Sequence, residues 1–362
     1  MRTRGLLRAC PAESAREGHQ RTFALDRAVR MSEQLPLFSI SQTRPRAVSP
    51  SVLPAPPTPE LAALAHDLPT EIFLGTSSWS FPTWSGLVYA KVYEAQTLAH
   101  DGLRAYAQHP VLRSVGIDRT FYAPIAVSEF HDYAEQVPAG FRFLVKAPSE
   151  CVSLSRRAES GIRAAENPNF LDAGFAAERF VLPAVEGLAE KAGPLVFQFP
   201  PVSRGLAPDS AGFARRLGNF LAGLPRGPLY AVELRDSGLL TDNYLAALRD
   251  VGARHCLGLH PRQPGVREQA RLLGKLAPGP LIVRWSLHPG YGYEEAKQRY
   301  YPFARLLDED LPTRVALARL CLETAAAGHP AFVIANNKAE GCAPLSMVKL
   351  AALIVQEASA GA

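Results

Sequence analysis

LGTSSWS, residues 74–80, decides between two architectures. The apolar run before it, residues 72–75, reads as a first strand. An open, doubly wound sheet needs a glycine-rich GxGxxG turn after that strand, so that backbone can approach a phosphate. Here the strand runs instead into Thr76, Ser77, Ser78 and Trp79. A polar and aromatic strand end of this kind belongs at the mouth of a (β/α)8 barrel, where functional side chains collect at the C-terminal ends of the strands.

The remainder of the chain repeats the pattern. Strand-like apolar runs occur at 72–75, 112–117, 141–145, 195–199, 229–234, 256–259, 281–285 and 332–335. Helical stretches alternate with them at 97–108, 128–136, 176–192, 210–224, 242–251, 294–307, 313–327 and 345–357. The i, i+3, i+4 spacing of Phe213, Leu217, Phe220 and Leu221 is the clearest helical signature. Eight such units predict a TIM-type α/β barrel, a single domain spanning residues 67–362. With 362 residues and 47% hydrophobic content, the chain can fill so large a core. No apolar run approaches the roughly 20 residues of a membrane span, which predicts a soluble protein with no membrane partner. Five cysteines scattered without a CxxC pair fit a reducing cytoplasm better than a zinc or dithiol site.

Residues 1–66 read differently. They hold nine arginines, no lysine and five acids, so most of the +5 net charge resides there and the body is close to neutral. Eight prolines, five of them from Pro50 to Pro59, predict a disordered tail or extended linker. Residues 1–30 are expected to be an over-extended start, with Met31 the natural one. Just beyond, Gln34, Leu35, Leu37 and Phe38 resemble the pentapeptide by which bacterial proteins bind the sliding clamp, although Pro36 replaces its usual Ser or Asp. Such a segment would offer Leu37 and Phe38 to an apolar pocket and Gln34 as a hydrogen-bonding group. The same residues could equally be an apolar patch that docks on the chain's own barrel.

Reading only the strand ends gives the candidate site. They are Trp79; Asp118, Thr120 and Tyr122; Lys146; Gln198; Glu233 and Arg235; His260; Arg284; and Asn336 with Asn337. Cations beside aromatic rings suit a phosphorylated or carboxylated ligand with a flat or sugar-like face. Glu233 and Asp118, with Lys146, are the candidate catalytic groups. Trp79, Thr120, Tyr122, Gln198, Arg235, Arg284, Asn336 and Asn337 are the candidate substrate contacts. Each taken alone could be an ion pair or a packing residue. No metal motif is legible: His255, His260 and His288 could join Asp118 and Glu233 around a divalent ion only through the fold. Cys342 would need a nearby base to act as a nucleophile. The sequence names no cofactor.

Several of these blocks carry a resemblance. GTSSWSFPTW, DRTFYAPIA, FRFLVKAP, GPLVFQFPP, YAVELRDS, LIVRW and FVIANNKAEGCAP are similar, in order, to the blocks of the DUF72 (YecE-like) family over about residues 71–357. The resemblance implies a TIM barrel of uncharacterised activity and adds Phe121 to the pocket. The chain departs from the family pattern at Asp118, at Val152-Ser153, at Ser286-Leu287 and at Leu239, and two histidines expected of the family are missing. It therefore looks like a divergent member. The leading expectation is an enzyme, a hydrolase or isomerase, working on a phosphorylated, sugar-like or nucleotide-derived substrate with a carboxylate as acid/base. The alternative is a non-catalytic factor associated with nucleic acid and recruited to the clamp. The near-neutral body argues against extensive duplex binding, which needs many phosphate contacts.

Overall fold

The computed structural model describes residues 52–155, 166–201 and 209–361. Eight parallel strands close into a barrel in sequential order. They are β1 Ile72–Thr76, β2 Leu112–Ile117, β3 Arg142–Lys146, β4 Ala192–Phe199, β5 Tyr230–Leu234, β6 Arg254–Leu259, β7 Leu281–Trp285 and β8 Ala331–Ala335. Closure comes from β8, which pairs with β7 on one side and in register with β1 on the other, Ile72 facing Ala331 and Thr76 facing Ala335.

The two-residue period of a strand sorts the side chains into two cores. Leu144, Val196, Ala231, Cys256, Ile282, Phe332 and Ile334 form one buried cluster that fills the barrel. Their neighbours in sequence, such as Phe143, Val145, Phe197, Val232, Leu257, Val283 and Val333, belong to the larger cluster between sheet and helices. One more step of two from the inner cluster reaches Lys146, Gln198, Glu233, Gly258, Arg284 and Asn336. The same alternation that packs the interior therefore delivers the functional layer to one end of it.

All eight expected strands are present, with boundaries shifted by at most three residues. The helices differ more. The stretch expected as 97–108 is divided at Gly102, a poor helix former, into Ala95–Asp101 and Leu103–Tyr106. The stretch expected to reach 307 ends at Tyr300, because Pro302 lacks an N–H and restricts the residue before it. A helix absent from the expectation, Val266–Leu273, has a polar residue, Gln269, fully buried alongside Val266. That amide is spent on Gly258 N, Gly258 O and Pro264 O, which explains why hydrophobic periodicity did not reveal it.

Within the stretch expected to be an extended linker, residues 52–67 are structured. Pro59–Asp67 is a helix with Thr58 accepting from Leu61 N at its N-cap and Pro59 at its first position. Pro59 is thus a helix start rather than a linker residue. Ahead of it, Ala55 N donates to Val88 O and Ala90 N to Leu53 O, and Val52 is buried. Gln34, Leu35, Leu37 and Phe38 lie outside the described residues. No helix among the described residues is long and apolar enough to cross a membrane.

The turn after β8 carries several of the polar groups that the sequence offered. Asn337 is buried, and its Oδ1 accepts from Ala343 N, starting the helix Ala343–Gly361. Glu340, fully buried, accepts from Asp310 N at 2.7 Å and is paired with Arg314 of the helix Leu311–Ala326. Gly341 adopts φ +114°, and a Cβ there would stand 2.5 Å from Arg305 O. These ties fix the backbone that presents Asn336 and Lys338 to the mouth. Glu340→Gln removes the buried one of Arg314's two carboxylate partners, leaving it with the half-exposed Glu309 at 2.9 Å, and should cost about 1.5–3 kcal/mol of stability, measured by urea unfolding. A loss below about 1 kcal/mol would mean that the turn is held by other contacts.

Candidate functional site

At the mouth, one guanidinium organises the neighbouring strand ends. Arg284 on β7 is almost fully buried. Its Nη1 donates to Gln198 Oε1 on β4 at 2.6 Å and to Glu233 Oε2 on β5 at 2.7 Å. Its Nη2 donates to both carboxylate oxygens of Asp118, after β2, at 3.0 Å. Register makes this reachable, since Gln198 faces Glu233 across β4 and β5, and Gly258 faces Arg284 across β6 and β7. A Cβ at residue 258 would come within 2.9 Å of Glu233 Oε1, so the carboxylate occupies the space a side chain there would take.

Glu233 is fully buried, with Arg235 Nη2 2.6 Å from its Oε1, a charge contact without hydrogen-bond alignment. Burial alone would raise its pKa. Arg235 and Arg284 outweigh burial, and the carboxyl is held below its ordinary value. Arg284 shows the mirror image: burial opposes its charge, but Asp118 and Glu233 raise its pKa further. Arg235 also donates to Ser286 Oγ at 3.2 Å.

The lysines have a different environment. Lys146, at the end of β3, has its Nζ 3.6 Å from the centre of the Phe121 ring, and among the described residues this amine has neither a hydrogen-bond nor an ion-pair partner. Burial is the main cause that lowers its pKa to about 8; Arg284 and Arg235 push the same way, and Asp118 and Glu233 oppose. Lys338, two residues beyond Asn336, lies 4.4 Å from the Tyr293 ring and 5.8 Å from the Phe303 ring. Its pKa also falls to about 8, through burial first and then Lys297, against Glu294 and Asp118. Asn336 bridges the two sides, donating to Ser77 Oγ at 2.9 Å and accepting from Lys338 N at 3.0 Å.

The fold thus brings Asp118, Lys146, Gln198, Glu233, Arg235, Arg284 and Asn336 to one mouth. Other expected contacts are engaged elsewhere. Thr120 is buried and its hydroxyl lies on the carbonyls of Ile117 and Lys146. This bond sets the turn that carries Phe121. Asn337 serves the helix start described above. Trp79 is buried edge-on against Tyr133, 5.4 Å between rings, and its carbonyl accepts from Tyr89. Tyr122 is 65% exposed and meets the edge of Phe121. Lys338 and Ser286 were not expected; the signal for Lys338 was Asn336 as a capping residue, whose side chain accepts from Lys338 N and turns that residue back to the mouth.

The histidines do not gather around an ion. His255 sits buried against Tyr244 and Gln269, and burial lowers its pKa to about 4. His260 is also lowered to about 4, by burial and then Arg235. His288 Nδ1 accepts from Gly290 N. Among the described residues no three His, Cys, Asp or Glu side chains are placed to share a metal. Cys342 is buried, which pushes its thiol up to about 11, unlike an activated nucleophile.

Comparison with known proteins follows the same lines. The sequence profile described as "Protein of unknown function DUF72" matches residues 73–361. No curated protein matches the chain. A solved DUF72 family protein from Thermotoga maritima is 18% identical, with a TM-score of 0.52 over 78% of this chain and 98% of that one. Another, from Enterococcus faecalis, is 17% identical, with a TM-score of 0.51 over 78% of this chain and 95% of the other. At these identities the likeness is one of fold.

Two substitutions should move stability in opposite directions. Glu233→Gln strips the counter-charge from Arg235 and leaves Arg284 with Asp118 alone, and should cost about 3–5 kcal/mol at neutral pH. Lys146→Met relieves a buried ammonium. The folded pKa lies below the unfolded one, so the unfolded chain binds more protons between about pH 8 and 10.5 and wild-type stability rises with pH across that window. The variant should therefore be more stable than wild type at pH 7 by about 1–3 kcal/mol, after discounting for water access. The gain should shrink as pH approaches 10.5. Chemical denaturation at pH 7 and pH 10 checks both.

Proposed function

The chain belongs to the DUF72 family, whose function is unknown, and on that premise we propose that the barrel mouth is the active site of an enzyme for a small phosphorylated or carboxylated substrate. One observation carries the reading. Among the described residues, the four cations Lys146, Arg235, Arg284 and Lys338 face Asp118 and Glu233, with Glu294 near Lys338 alone, and Asp118 and Glu233 are engaged by the arginines. The two lysines are left over aromatic faces, where an anion would find charge that is already partly dehydrated.

The roles follow from protonation. Glu233 is locked as a carboxylate by Arg235 and Arg284, so it positions the arginines rather than exchanging protons. This replaces the acid/base role that its strand-end position suggested. Asp118, bidentate on Arg284, orients that guanidinium in the same way. A group titrating near 8 can give and take a proton close to neutral pH, and Lys146 has that property at the mouth. Lys338 and Asn336 hold the anion, and Phe121 and Tyr293 face its less polar part. Whether the substrate is a sugar phosphate or a nucleotide fragment is decided by the ligand that binds.

Thermal unfolding of the full chain with inorganic phosphate, sugar phosphates and nucleoside monophosphates tests this. One class should raise the midpoint by about 5 °C at about one hundred times its Kd. The Lys146→Met/Lys338→Met double variant should lose that rise. Equal stabilisation of both proteins by every anion would sink the reading. A second proposal concerns Gln34, Leu35, Leu37 and Phe38 alone: recruitment to a sliding clamp, placing the barrel near nucleic acid. Retention of the full chain on immobilised clamp should disappear with Leu37→Ala/Phe38→Ala.

A further inference from the structure

We propose that Lys146 captures carbonyl compounds: its amine adds to an aldehyde or ketone that carries a phosphate or carboxylate, and forms an imine at the barrel mouth. This rests on the anion-binding reading and adds to it both the substrate class and a covalent step.

The lysines of this chain differ in what they hold. Lys191 donates to Ala134 O at 2.6 Å and Val137 O at 2.7 Å, as a lysine does when it braces a fold. Lys275 pairs with Asp242 at 2.7 Å on the surface. Lys338 has Asn336 Oδ1 within 3.4 Å. Lys146 Nζ holds no oxygen among the described residues. The two carboxylates of its neighbourhood face Arg284 and Arg235, so no anion locks the ammonium in place. Those two arginines are themselves like charges that disfavour protonation, while Phe121 gives a dry face that returns part of the lost stabilisation. Desolvation beside another cation is the arrangement that turns a lysine into a nucleophile.

The surroundings fix its direction as well. The hydroxyl of Thr120 lies on the carbonyl of Lys146 itself, so the turn bearing Phe121 and the end of β3 are one unit. Lys146 has a partly exposed side chain and remains open to a ligand at the mouth. Lys338 and Asn336 are the groups that would hold the substrate's anionic end, with Arg235 and Arg284 adding positive charge from behind. Asp118 and Glu233 complete the charged groups acting on Lys146.

The step balances without an oxidant or reductant. The neutral amine's lone pair forms the C–N bond while the carbonyl π pair moves to oxygen. The oxygen leaves as water, taking one proton from nitrogen and one from Lys338 or solvent. The product is an iminium that withdraws electrons from the adjacent carbon, so a proton or a carbon–carbon bond there can be released.

Borohydride trapping decides the matter. The full chain is mixed with pyruvate, dihydroxyacetone phosphate or glyceraldehyde 3-phosphate, reduced with sodium borohydride, and mapped by peptide mass. Lys146 should acquire the reduced adduct of one probe at least about ten-fold faster at pH 7 than exposed Lys91, Lys275 and Lys349, because a lysine titrating near 8 has far more free amine there. Its labelling should level off above about pH 8 while the surface lysines continue to climb, and inorganic phosphate should compete. Lys146→Arg, which keeps the charge, should abolish the rapid labelling while leaving the far-ultraviolet dichroism intact. Labelling spread over lysines by exposure, with anion stabilisation preserved, would overturn the imine and leave the anion site standing. Absence of both labelling and anion stabilisation would overturn the two together.

Discussion

A guanidinium removed from water must find an acceptor for each donor, and the mouth of this barrel is arranged around that demand. Arg284 reaches β4, β5 and the turn after β2 through Gln198, Glu233 and Asp118. Each ion gives up several kcal/mol of hydration on burial, and only close, mutually aligned pairs recover it. The pairs therefore stand or fall as a group. Arg235 and Glu233 complete the arrangement on one side, and the layer beneath it is wholly apolar.

From that constraint comes the division between fixed and free charge. Glu233, caught between two arginines, is held in its ionised form and makes a poor proton carrier. Ammonium groups left over aromatic rings lie closer to their titration point. On the function proposed above, the weight of the chemistry accordingly moves from the acids to Lys146 and Lys338.

Much of the architecture was legible in the chain because strands announce themselves by apolar runs, and all eight did. The polar end of β1 at Thr76 and Ser77 was enough to favour a closed barrel over an open sheet. Helix Val266–Leu273 was hidden because its buried face carries Gln269, whose amide satisfies β6 rather than filling space. Helix Pro59–Asp67 was hidden by the prolines before it, one of which begins it. At the site, position along a strand named the right neighbours but not their partners. Thr120 and Asn337 lie at strand ends like the rest, yet their side chains serve backbone groups, and only three-dimensional contact separates such staples from ligand contacts. Lys338 was passed over because it lies past the strand end, in the short 3-10 turn Asn337–Ala339 that brings it back beside Asn336.

The contact between Gly258 and Glu233 also bears on descent. The carboxylate fills the volume that any side chain at 258 would claim, so 258 cannot gain a side chain while the acid remains. A larger residue at 258 would be admissible only in a lineage that had already given up the acid on β5, and with it a partner of two arginines. In related chains an acid at 233 should therefore be accompanied by glycine at 258. A branch that broke the pairing would mark the point where the charge arrangement of the mouth was rebuilt.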